Sequence, residues 1–195
     1  MDVETSTPSP RELEALVRRI DRPLVMVGMM GAGKSTVGRK LAALLRFGFV
    51  DTDDEIEQAA QMTVAEIFDT YGEAYFRDGE RRVIARLMGE PLKPGNAGKV
   101  IATGGGAFVD PATRALILER GIAVWLDSDL DTLLERVSRK PTRPLLRDGD
   151  PRATLAWLSE QRTPAYSEAQ IRIASGAGPH QRTVLAILAG LDRWL

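Results

Sequence analysis

Short apolar runs alternate with stretches of helical spacing along nearly the whole chain. Leu13, Leu16, Val17 and Ile20 recur every three or four residues and predict a short helix over 11–20 that docks on the domain. PLVMVG (23–28) is then an unbroken apolar run of strand length, and helical spacing returns over 34–46. FGFV (47–50) predicts a second strand. It leads into helical patterns over 53–60, 63–72 and 72–89, and Thr63 and Glu66 open the middle one at capping-box spacing. KVIAT (99–103), IAVWLD (122–127) and IRIAS (171–175) predict three more strands. Helices are expected over 111–121 (ended by Gly121), 129–140, 153–163 and about 179–193, with turn-rich loops at 90–98 and 141–152.

Apolar strands separated by helices imply an α/β domain: a central parallel sheet of about five strands covered on both faces, in three layers. Ligands of such sheets bind at the carboxyl ends of the strands. Each unusual motif falls at such an end: GMMGAGKST after the first strand, DTD after the second, GGG after the third.

Composition narrows the chemistry. A formal net charge of −1 and a pI near 6.0 provide no global basic field for nucleic acid. Cysteine is absent and His180 is the single histidine, which removes disulfides, thiolate metal sites, cysteine nucleophiles and a second histidine ligand. No window reaches the roughly 18 apolar residues of a membrane span, and the N-terminus lacks a signal-type apolar stretch, so a cytoplasmic protein without a membrane partner is expected. Five lysines leave 21 arginines among the 26 cationic residues, and position alone can give that excess a meaning.

Gly28-x-x-Gly31-x-Gly33-Lys34-Ser35 fits the phosphate-binding loop G-x-x-x-x-G-K-[ST], with the required strand before it and helix after it. The glycines permit a turn whose amides surround phosphate, Lys34 is expected to bridge the β- and γ-phosphates, and Ser35 to ligate Mg²⁺. Asp51-Thr52-Asp53 reads either as helix capping or as chemistry: Asp51 holding a magnesium-bound water near Ser35, Asp53 reaching a substrate hydroxyl. Asp54 and Glu55 are expected to face solvent. Gly104-Gly105-Gly106 is a tight loop, or a place where substrate and γ-phosphate meet backbone amides. VWLDSD (124–129) resembles a Walker B strand, but the following helix needs an N-cap and Asp127 or Ser128 is expected to supply it. Arg77 (after Tyr75-Phe76), Arg143 (before Pro144-Leu145-Leu146) and Arg162 (opening R-T-P-A-Y, with Pro164 expected to end the helix) read individually as surface ion pairs, and together as the grip on a small anionic substrate.

In this order, G-x-x-G-x-G-K-S-T, D-T-D, Phe76-Arg77 with Glu80, G-G-G, and R-P-L-L followed by R-x-P-x-Y make the chain resemble the shikimate kinases from about Pro23 to the C-terminus. The resemblance implies a P-loop kinase domain over 23–195 behind a leader (1–22), with a substrate-binding lobe at about 52–89 and a lid at about 138–152. It implies transfer of the ATP γ-phosphate to the 3-hydroxyl of shikimate by a monomer. Carried over by position, Gly31, Ala32, Gly33, Lys34, Ser35 and Thr36 cradle ATP, Ser35 and Asp51 serve Mg²⁺, and Arg136 and Pro179 edge the adenine. Asp53, Arg77, Gly104, Gly105, Gly106 and Arg162 face shikimate, Phe68 and Phe76 wall its pocket, Glu80 orients an arginine, and Arg143 is the lid arginine. Lys34, Asp53 and Arg143 are the catalytic candidates. The chain departs from the family's usual residues at Ala32 (often serine), Met30 (often proline) and Ser167 (often basic).

Two other classes are weighed. A gluconate kinase would share the P-loop and lid without the DTD and GGG pair. A GTPase-type switch would need N-K-x-D, which Asn96-Ala97-Gly98-Lys99 does not supply.

Overall fold

The computed structural model describes residues 7–90, 98–139, 149–176 and 178–195. Five strands, β1 (Leu24–Val27), β2 (Gly48–Asp51), β3 (Lys99–Ala102), β4 (Ile122–Asp127) and β5 (Ile171–Ala174), form one sheet in the order β2-β3-β1-β4-β5. Every pairing is parallel. All four β1 residues are buried, as a central strand covered on both faces requires, whereas edge strand β5 alternates buried and exposed positions. The expected five-stranded α/β fold is the one observed.

Among the described residues the helices are α1 (Pro10–Arg19), α2 (Lys34–Leu45), α3 (Thr52–Ala60), α4 (Val64–Gly89), α5 (Pro111–Arg120), α6 (Leu130–Ser138), α7 (Pro151–Tyr166) and α8 (His180–Trp194). Helix α2 packs on β1 and β3 and against α8, while α5 packs beside β4 and against α4. A Ser9–Glu12 capping box opens α1. Leu13, Leu16, Val17 and Ile20 place this helix on the core, and Arg19 Nη1 donates to Asp192 Oδ1 on α8 at 2.6 Å.

The 63–72 and 72–89 patterns run into one another as α4, which is kinked at Gly72 (φ 80°, ψ 172°). The predicted capping box at Thr63 and Glu66 is present. Ile56, Ile67 and Phe76 form a small core between α3 and α4, separate from the main one and packed with Met62, Val64 and Phe68. The segment read as a substrate lobe therefore has its own apolar centre.

Three local expectations are corrected. Asp129, and not Asp127 or Ser128, caps α6: its carboxylate accepts from Thr132 N at 2.8 Å, because the helix starts one residue later than the D-S-D run suggests. Asp127 instead pairs with Arg172 on neighbouring β5 at 2.7 Å. Pro164 lies inside α7 rather than ending it. A proline there removes one backbone donor, and the helix survives with Ser167 N donating to Thr163 O at 2.9 Å. Glu55 is half-buried and paired with Arg86, whereas Asp54 is exposed and paired with Arg39 at 3.2 Å.

Candidate active site

Positive φ at Gly28 (132°), Gly31 (82°) and Gly33 (94°) turns the chain from β1 into α2. A Cβ on Gly28 would stand 2.6 Å from the Leu126 carbonyl oxygen of β4, so the loop is pressed onto the sheet. Lys34 is buried and folds back over the loop, its Nζ donating to Gly28 O at 2.8 Å and Met29 O at 2.9 Å. Ser35 and Thr36 are exposed at the start of the helix, where free N–H groups and the helix dipole favour an anion. Ala32 is fully buried. Its N–H is used by Met29 O (3.1 Å), and its carbonyl accepts from Arg136 Nη1 (3.1 Å) and Ser175 Oγ (3.2 Å), so it holds the loop's shape from within.

A cavity of about 380 Å³ opens on this loop. Gly31, Gly33, Lys34, Ser35 and Thr36 line it, with Asp51, Asp53, Gly104 and Gly105 at or just beyond the ends of the strands on one side of β1. Arg136, Arg139 and His180, which follow β4 and β5, line it on the other side. Asp51 keeps its capping role, accepting from Asp53 N at 3.1 Å, while still facing the cavity. Thr52, between the two aspartates, is fully buried and its Oγ1 accepts from Gly104 N at 3.2 Å. That bond ties the end of β2 to the glycine turn. Thr103 ties the turn to β1, donating from N (3.2 Å) and Oγ1 (3.0 Å) to Met26 O.

The three glycines are explained by space and not by backbone conformation, since none adopts the left-handed region. A Cβ on Gly104 would lie 2.2 Å from Glu80 Oε1 and 3.3 Å from Asp53 Oδ1. One on Gly105 would lie 3.1 Å from Met30 N and 3.4 Å from Arg162 Nη1, and one on Gly106 only 2.5 Å from Arg77 Cζ. Charged side chains from α3, α4 and α7 thus converge on a bare stretch of backbone.

Beyond Gly105 lies a second cavity of about 340 Å³, lined by Arg77, Glu80, Gly106 and Arg162 among others. Arg77 Nη1 donates to Glu80 Oε2 at 2.8 Å and its Nη2 to Glu73 Oε1 at 3.0 Å. Burial opposes the Arg77 charge, but Glu80 and Glu73 outweigh it and hold the guanidinium above its ordinary range. Glu80 is 2% exposed, and burial pushes its carboxyl up from the usual carboxylate range against the pull of Arg77, Lys34 and Arg162. Arg162 is 8% exposed, and its Nη1 is buried without a hydrogen-bond partner among the described residues.

One turn beyond Arg162, Tyr166 donates its hydroxyl to Gly105 O. Burial, only partly countered by Arg162, pushes this phenol up to about 12. Phe68 and Phe76 pack with their rings tilted at 45° and centroids 4.9 Å apart in the lobe's core, and the Phe76 ring lies 5.3 Å from the Arg77 guanidinium. Neither is among the described residues lining the two cavities.

Pro179 caps α8 at the exposed end next to His180. Arg136 grips the phosphate loop, donating also to Gly31 O at 3.3 Å and to Gly176 O at 2.6 Å. Arg143 and most of the expected lid lie outside the described residues. Thr52, Tyr166 and His180 also face this region without a site signal of their own in the sequence. The first two lie within D-T-D and R-x-P-x-Y, and their contacts depend on strand and helix neighbours that sequence does not reveal.

The shikimate kinase family model matches residues 30–191. A shikimate kinase of Novosphingobium aromaticivorans is 62% identical over 195 residues, covering the whole of both chains and so the leader as well. One of Rhodopseudomonas palustris is 50% identical over 187 residues, covering 96% of this chain and 89% of its own. Among solved structures, shikimate kinase from Acinetobacter baumannii in complex with shikimate is similar at a TM-score of 0.82 and 36% identity, over 90% of this chain and 94% of that one. A family model spanning most of the chain and a full-length relative at this identity give one answer: the chain belongs to the shikimate kinase family.

Proposed function

We propose that the protein transfers the γ-phosphate of ATP to the 3-hydroxyl of shikimate, giving shikimate 3-phosphate and ADP. The observation that carries the acceptor is Arg162 Nη1, buried with no hydrogen-bond partner among the described residues, in the cavity that Arg77 also lines and one glycine away from the phosphate loop. An unpaired buried donor costs about 1–3 kcal/mol, and a carboxylate bridging the two guanidiniums relieves it. Asp53 faces the other cavity, within reach of the same glycine turn. A ring whose carboxylate sits on the arginines can therefore present a hydroxyl between Asp53 and the phosphates.

In this reading Lys34 and the loop amides hold the phosphates, with Arg136 and Pro179 toward the nucleoside. Asp53 orients the acceptor hydroxyl and takes its proton as the oxygen bonds to the γ-phosphorus and the bond to the ADP oxygen breaks. Glu80 and the Phe76 ring fix Arg77 in place. The exposed Ser35 hydroxyl and the Asp51 carboxylate line one cavity and are hard oxygen donors that would hold Mg²⁺. An ion held by them would supply positive charge to offset that developing on the transferred group. Arg143 is assigned the lid role by family resemblance. The protein acts as a cytoplasmic monomer on two small molecules, without nucleic acid or membrane.

ADP formation coupled to added shikimate, with and without magnesium, tests the reading. Wild type should turn over only with both, and Asp53→Ala should lose turnover while still binding ADP. Near-normal turnover by Asp53→Ala would remove Asp53 from the mechanism, and ADP formation indifferent to shikimate would overturn the acceptor.

A further inference from the structure

The peptide that joins Gly105 to Gly106 stands between the two cavities: Gly105 lines the phosphate-loop cavity and Gly106 the second. Two glycines make it the peptide of the turn most free to rotate, because neither flanking residue has a Cβ to oppose a flip of its plane. The turn around it is tied at several points. Gly104 N donates to Thr52 Oγ1 at 3.2 Å, Ala107 N to Gly104 O at 3.3 Å and Val109 N to Gly106 O at 3.1 Å. None of these bonds uses the Gly105–Gly106 peptide itself. Among the described residues, its carbonyl accepts from the Tyr166 hydroxyl alone, and its N–H, on Gly106, donates to no partner.

Tyr166 is placed to act as a rigid strut. Its ring is 1% exposed, with its centroid 5.9 Å from that of Trp125 on β4, and it stands at the end of α7. A carbonyl has no proton to give, so the phenol is the donor. Burial keeps that proton in place at every pH below about 12.

We infer that Tyr166 is a positioning residue for the phosphoryl acceptor: its hydroxyl holds the Gly105 carbonyl toward the core and so keeps the Gly106 N–H turned to the second cavity, as a donor to the acceptor's carboxylate beside Arg77 and Arg162. In a trans peptide the two groups point in opposite directions. A flipped peptide would therefore present the carbonyl oxygen to the cavity and repel the same anion. The inference rests on the acceptor reading proposed above.

Tyr166→Phe removes the hydroxyl and keeps the ring. KM for shikimate at saturating ATP should rise about tenfold, the loss of one oriented hydrogen bond. The kcat should stay within about threefold of wild type, and ADP affinity by calorimetry should be unchanged. Leu16→Ala is the control for lost stability alone, since Leu16 packs α1 on the core and lines neither cavity. Assayed well below its melting temperature, it should keep the wild-type KM. A KM for Tyr166→Phe within about twofold of wild type would overturn the inference. Equal losses of shikimate and ADP binding would do the same, as would an equal rise in KM in Leu16→Ala. Wild-type ADP formation that ignores shikimate would instead overturn the acceptor reading, and this inference with it.

Discussion

Gly106→Ala should separate substrate handling from folding. The added methyl would meet Arg77 Cζ at 2.5 Å and its two terminal nitrogens at 2.6 and 2.7 Å. Unstrained contacts begin at about 3.5 Å, so the guanidinium must retreat by about 1 Å. Folding tolerates this. Gly106 has φ −94° and ψ −16°, a conformation alanine adopts freely, and what yields is the tip of a flexible side chain, so stability should change by about 1 kcal/mol or less. Catalysis should not tolerate it. The retreat disturbs the 2.8 Å bond to Glu80 and shifts the substrate's anchor. A misplacement of about 1 Å costs on the order of 100-fold, or about 2.7 kcal/mol of transition-state stabilisation. A coupled assay for ADP at saturating ATP should show that fall in kcat/KM for shikimate, with ADP affinity by calorimetry and the melting temperature near wild type. If kcat/KM for shikimate stays within about threefold of wild type, Arg77 is not the anchor and the reasoning fails.

Gly28→Ala should do the reverse. Its Cβ meets backbone, the Leu126 carbonyl at 2.6 Å, at a φ of 132°, so the protein should lose about 3 kcal/mol and melt about 6–12 °C lower; an unchanged melting temperature would mean the loop can lift from β4 at no cost. Tyr166→Phe leaves the Gly105 carbonyl without its buried donor and should cost about 1–3 kcal/mol in urea unfolding. The same variant carries a pH signature. The phenol's folded pKa of about 12 lies above the unfolded value near 10, so its contribution is complete below pH 10 and is lost as pH rises through 12. The wild-type advantage over Tyr166→Phe should therefore shrink between about pH 10 and 12, and a constant gap would mean the phenol ionises as readily folded as unfolded.

The donor half of the site was legible because its signals are local. A P-loop needs a strand, glycines in a turn and a helix in immediate succession, and GMMGAGKST contains all of them. DTD and GGG were legible as strand ends, but their reasons were not. That Thr52 anchors Gly104, or that Gly106 is bare because Arg77 lies across it, depends on residues roughly 30 to 50 positions apart meeting at one sheet edge. The same non-locality accounts for the misreading of Asp127. In D-S-D three residues are competent to cap, and which one does so depends on where α6 starts, while Asp127 is taken up by Arg172 because β5 pairs with β4. Pro164 misled for a different reason. Proline usually ends a helix, but the loss of one donor near a helix end is small beside the burial of Leu155, Leu158, Arg162 and Tyr166 on one face of α7.

That face of α7 also explains why the acceptor, and not the donor, distinguishes this chain from other P-loop proteins. Arg162 and Tyr166 lie one turn apart, so the helix that delivers a guanidinium to the second cavity also delivers the hydroxyl that fixes the Gly105 carbonyl. Across a planar trans peptide, fixing that carbonyl fixes the opposed N–H of Gly106, which borders the same cavity. Arg77 arrives there independently from α4, already held by Glu80 and Glu73. On the proposed reading, acceptor recognition is assembled by two helices around a turn that has no side chains to interfere. The phosphate loop is shaped by its own backbone and by Arg136, which donates to the Gly31 and Ala32 carbonyls.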